Sequence, residues 1–79
     1  MIKNLEEVAN QVLSSKYDVR SFTINGNSII VEHESSSHRT TWEGYIDFFD
    51  DGTYSATNFM NSPRTGIYAN EIASQLIIE

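Results

Sequence analysis

Trp42-Glu43-Gly44-Tyr45-Ile46-Asp47-Phe48-Phe49-Asp50-Asp51-Gly52-Thr53-Tyr54-Ser55-Ala56-Thr57-Asn58-Phe59 is two alternating runs joined at Asp50-Asp51-Gly52. Such alternation predicts paired strands, because side chains of an extended chain point to opposite faces with period two. Asp-Asp-Gly between them predicts a three-residue turn with Gly52 in the left-handed region, where only glycine escapes a steric penalty. That turn pairs Phe48 with Tyr54 and Ile46 with Ala56. Trp42, Ile46, Phe48, Tyr54 and Ala56 then share one face. Glu43, Tyr45, Asp47, Phe49, Thr53, Ser55, Thr57 and Phe59 share the other.

Upstream, Val19 to Ile24 alternates again and runs into Asn25-Gly26, a strong two-residue hairpin signal, with Asn27 to Glu34 as the return strand. Phe22, Ile24, Ile29 and Val31 fall on the core side. Ser21, Thr23, Ser28, Ile30 and Glu32 face away. Ser35-Ser36-Ser37 is a polar connector, the third strand starts near Arg39, and the fourth ends near Phe59. Asn61-Ser62-Pro63 stops the sheet, since proline cannot donate to a ladder.

Helical spacing brackets these strands. Ile2, Leu5, Val8, Ala9, Val12 and Leu13 form one apolar stripe, predicting a helix from about residue 4 to 15. Asn4 and Glu7 have capping-box spacing, and Ser14-Ser15 ends the run. Tyr68, Ala69, Ile72, Ala73 and Leu76 predict a second helix from roughly 66 to 77, although Leu76-Ile77-Ile78 also fits a short strand. The expected fold is α+β, in the order α-β-β-β-β-α. It is a single small domain over residues 1–79, a four-stranded antiparallel meander with both helices on one face.

The chain has 79 residues, 39% apolar and 11% aromatic, enough for one thin core. Lacking cysteine, it has neither disulfides nor thiolate metal sites. Its first residues carry two glutamates and no apolar run, so they do not read as a signal peptide, and no stretch nears the roughly 20 apolar residues of a membrane span. A cytoplasmic location is expected. Net charge is −6, from 11 acidic and 5 basic residues. Lys3, Lys16, Arg20, Arg39 and Arg64 are scattered singly, which disfavours direct nucleic-acid binding.

Residue types suited to chemistry are present without the spacing that chemistry needs. Glu32-His33-Glu34 with His38 has metal-ligating side chains, but on a strand His33 points away from both glutamates. The run reads as a solvated strand end, and no metal or cofactor is expected. Asp47, Asp50 and Asp51 resemble paired carboxylates, yet a small meander offers no obvious cleft and the turn explains two of them. The acidic positions of a calcium loop are missing, as are a nucleophile elbow and a phosphate loop. Arg39 and Arg64 read as solvated or locally paired.

The expectation is therefore a non-catalytic protein-protein interaction module, not an enzyme. Its predicted partner-binding residues are Glu43, Tyr45, Asp47, Phe49, Asp50 and Asp51, on an acidic, aromatic face. Such a surface suits a protein partner with a basic, nucleic-acid-binding groove, as small phage anti-CRISPR or anti-restriction inhibitors do by type. No motif of such a protein is matched here. The alternative is a structural homodimer whose sheet faces or edges meet.

Overall fold

A computed structural model describes residues 1–35, 40–58 and 63–79. The sites expected at Ser36, Ser37, His38, Arg39, Phe59, Asn61 and Ser62 lie outside these residues. The elements are α1 (Leu5–Leu13), β1 (Val19–Asn25), β2 (Ser28–Glu34), β3 (Thr41–Phe48), β4 (Tyr54–Asn58) and α2 (Arg64–Ala73). The strands form one antiparallel sheet in the order β1-β2-β3-β4. This is the α-β-β-β-β-α layout that the alternating and helical patterns predict.

The core lies between the sheet and the helices. Leu5, Val8, Ala9, Val12 and Leu13 of α1 and Tyr68, Ala69 and Ile72 of α2 pack in one cluster with Ile29, Val31, Ile46 and Phe48. Ile29 and Ile46 are cross-strand partners and both fully buried, each contributing about 1.5–3 kcal/mol of apolar burial. The expected pairs Phe48–Tyr54 and Ile46–Ala56 are present. Ala56 points to the core side yet is exposed, being on an edge strand.

Both turn glycines have positive φ, Gly26 at 61° and Gly52 at 89°. The first hairpin differs from expectation in its loop, which is Gly26-Asn27 and not Asn25-Gly26. Asn25 pairs with Ser28, and the Asn27 carbonyl accepts from Phe48 N at 2.9 Å. The shift moves each cross-strand partner by two residues, so every side chain keeps its expected face.

Three local expectations are corrected. Asn4 makes no capping bond. Its amide instead reads the backbone of the C-terminal segment, with Asn4 Nδ2 donating to Gln75 O at 3.1 Å and Ile77 N donating to Asn4 Oδ1 at 2.7 Å. The second helix starts earlier, at Arg64, and ends at Ala73, short of residue 77. Beyond it Ile78 bridges Ile2, with Lys3 N donating to Ile77 O and Glu79 N to Met1 O, because those backbone groups find sheet-like partners in the N-terminal residues. Lastly, His33 is no solvated strand end. Its side chain is completely buried. It continues the parity of Ile29 and Val31 onto the core face, where α2 covers it.

Candidate functional site

Register builds the uncovered sheet face from three rows that cross the strands. Thr23, Ile30, Tyr45 and Thr57 form the middle row. Ser21, Glu32 and Glu43 lie on one side of it, and Asn25, Ser28, Asp47 and Ser55 on the other. Ile30 is 37% exposed and Tyr45 half-buried, so two large side chains stand paired at the centre of the face. Carboxylates flank them on both sides.

These carboxylates are held in place. Tyr45 OH donates to Glu43 Oε2 at 2.9 Å, and that bond lifts the phenol's pKa above its ordinary value. Ser28 Oγ donates to Asp47 Oδ1 at 2.5 Å, across the β2–β3 pair. Arg20, at the β1 bulge, reaches Glu32 at 3.6 Å. Glu32 and Glu43 are nevertheless direct cross-strand neighbours, an arrangement that costs stability because like charges oppose each other.

Of the six expected partner-binding residues, Glu43, Tyr45 and Asp47 share this face. Phe49, Asp50 and Asp51 sit beyond it in the β3–β4 turn. Asp51 Oδ1 accepts from Thr53 Oγ1 at 2.6 Å and Thr53 N at 3.0 Å, which holds its carboxyl below the usual range. Asp50 lies 3.6 Å from the Met1 amine, so the turn abuts the paired chain ends. Phe49 is 47% exposed. Phe49 N donates to Thr53 O at 2.9 Å, so the turn follows directly from the end of the face, with Phe49 in the parity of Tyr45 and Asp47.

A second cluster lies beneath the opposite face, and sequence reasoning missed it. Tyr68 OH donates to Asp18 Oδ1 at 2.5 Å, and Arg64 Nη1 pairs with Asp18 Oδ2 at 2.7 Å. The His33 ring stacks between Trp42, at 5.2 Å between centroids, and Tyr68, at 5.7 Å. His33 Nε2 lies 3.2 Å from Thr65 Oγ1, which also accepts from Asn58 Nδ2 at 2.9 Å. With the Thr65 hydroxyl donating to Nε2, the ring proton sits on Nδ1, facing Asp18 Oδ2 at 3.7 Å. The alternative tautomer would set a lone pair against a carboxylate.

Burial governs the titration of this cluster. It pushes the His33 imidazole below its ordinary value of 6.5, and the nearby Asp18 charge offsets only part of that. Burial pushes Asp18 up, but hydrogen bonds from Tyr68 and Arg64 outweigh it and leave the carboxyl below its ordinary 3.8. Burial and the bond to Asp18 raise the Tyr68 phenol.

Asp18, His33 and Thr65 have the order of a charge-relay triad. Their geometry suits a structural network better. Thr65 is fully buried, and 3.7 Å is too long for a hydrogen bond between His33 and Asp18. Thr65 Oγ1 also fills the space that a Cβ on Gly44 would need, 2.3 Å away. Only His33's parity with Ile29 and Val31 hinted at this cluster in the sequence. Asp18 lies between elements, with no periodicity to place it.

Among the described residues, no three His, Cys, Asp or Glu side chains converge to hold a metal, and no helix is long and apolar enough to cross a membrane. Comparison of the chain with protein-family models, with curated proteins and with solved structures found no match.

Proposed function

We propose that this domain works by binding a protein partner with a basic surface, laying its uncovered sheet face into a groove that otherwise holds nucleic acid. The observation carrying this reading is the Ile30–Tyr45 pair at the centre of the face, with Glu32 and Glu43 on one side and Asp47 on the other. Binding energy at interfaces concentrates in a few central anchors, and aromatic residues are favoured there. Surrounding charges steer encounter and exclude wrong partners.

Preorganisation supports the same reading. Glu43 and Asp47 are already fixed by Tyr45 and Ser28, so less side-chain freedom is lost on contact. The like-charged Glu32–Glu43 pair gains from a partner's lysine or arginine. Phe49, Asp50 and Asp51 extend the contact at one end. In this reading the domain performs no reaction, and its role is that of a small acidic inhibitor, of the kind mobile elements direct against host enzymes in the cytoplasm.

The test is capture on the immobilised domain from nuclease-treated lysate, repeated with Tyr45→Ala and with added duplex DNA or RNA. A basic protein retained by the wild type, lost with Tyr45→Ala and displaced by nucleic acid supports the reading. Retention that ignores both changes refutes it.

A further inference from the structure

We infer that the free edge of β1 is a pairing site for a second copy of this chain, joining two sheets in antiparallel register about Phe22. The inference rests on the strand edge and is independent of the proposed use of the outer face.

β1 ends the sheet, so one side of its backbone has no strand partner among the described residues. In a two-residue hairpin the residues flanking the loop, Asn25 and Ser28, are a hydrogen-bonded pair. Hydrogen-bonded pairs alternate, so Thr23 and Ser21 also bond inward to β2, and the backbones of Phe22 and Ile24 face outward. Their side chains lie on the core face, partly buried against the core but not closed over by it. Beside them a groove of about 460 Å³ opens between the end of α1 and β1, lined by Leu13, Val19, Arg20 and Phe22 among others.

What this edge lacks is what the same edge presents. Antiparallel pairing centred on Phe22 sets Phe22 against the partner's Phe22 and Ser21 against the partner's Thr23, and carries the partner's Ile24 towards the bulge at Arg20, beside the groove. Both edges pair by the same operation, as a two-fold interface requires.

Charge favours a second copy at this place in particular. The chain carries 11 acidic residues, and two copies repel each other over most of their surfaces. From Val19 to Val31 there is no Asp or Glu. Of the nearest carboxylates, Asp18 is paired with Arg64 and Glu32 with Arg20. Natural edges are usually blunted by charge, proline or a bulge. Here the bulge between Val19 and Ser21 protects the start of the strand alone, leaving Ser21 to Asn25 regular and uncharged.

The absence of native cysteine allows a register-specific test. In the inferred pairing Ser21 stands opposite the partner's Thr23. Both are exposed, so S21C and T23C spare the core. Sedimentation of the wild type across the micromolar to millimolar range should show a monomer–dimer equilibrium. Mild oxidation of mixed S21C and T23C should give a disulfide-linked heterodimer, with much less linkage in either variant alone. Arg20→Glu, which adds two negative charges at the seam, should weaken dimerisation about tenfold or more while leaving the circular dichroism unchanged. A chain that stays monomeric throughout overturns the inference. So does a dimer that fails to link S21C to T23C, or one indifferent to Arg20→Glu.

Discussion

Glu32 stands directly opposite Glu43 across the β2–β3 pair, at the rim of the uncovered sheet face. Arg20 and Tyr45 each hold one of these carboxylates, yet the opposition of like charges still costs stability. Glu43→Gln keeps an oxygen for Tyr45 OH and removes the repulsion, so it should raise stability by a few tenths of a kcal/mol at low ionic strength. Urea titrations should show that gain shrinking with added salt, because exposed charges are screened. The same substitution should weaken capture of a basic partner.

Gly44 should not tolerate a side chain. A Cβ there would lie 2.3 Å from Thr65 Oγ1 and 3.0 Å from Thr65 Cγ2. Gly44→Ala should destabilise by about 1–3 kcal/mol, the usual cost of overpacking. Thr65→Ala in the same chain should recover part of that loss, and a double-mutant cycle by urea denaturation would measure the coupling.

Stability should fall on acidification in two stages. His33 has a folded pKa below its ordinary 6.5, so the unfolded chain takes up the proton first. Its contribution is complete above about pH 6.5 and is lost as pH drops towards the folded value. Asp18 is likewise depressed, so its contribution is present above 3.8 and lost as pH falls through its folded value. Urea midpoints from pH 8 to pH 5 should decline, and His33→Phe should flatten that decline.

Asn4 should matter as a clasp between the two ends of the fold. Asn4→Ala removes one bond to Gln75 O and one from Ile77 N. The expected cost is about 1 kcal/mol, two modest bonds at an exposed site. Amide exchange at Ile77 should accelerate, while Ile29 and Ile46 keep their protection.

The sheet was legible because its signals are local and agree with one another. Alternation around Asp50-Asp51-Gly52 fixed the Phe48–Tyr54 register, and the parity of Phe22, Ile24, Ile29 and Val31 survived a misplaced loop. The ends of the helices were less legible. Asn4 carries the residue type of a cap, but its partners lie more than seventy positions along the chain. Leu76 keeps helical spacing with Ile72, yet the bridge between Ile2 and Ile78 draws the following residues into extended backbone. The buried cluster was invisible for the same reason. Asp18, His33 and Tyr68 come from a loop, a strand and a helix, and only the packed fold makes them neighbours.

Tyr45 carries the central claim, and dissociation of a captured partner from Tyr45→Ala tests it most directly. The side chain stands on the outer face, half-exposed, with its hydroxyl on Glu43. If it anchors a basic partner, its loss should cost about 2 kcal/mol of binding, some thirtyfold in Kd, mostly as faster dissociation. The thermal transition of the free domain should change little, and added nucleic acid should compete for the partner. A partner that leaves Tyr45→Ala as slowly as it leaves the wild type, or one that holds duplex nucleic acid and this domain together, would contradict the account.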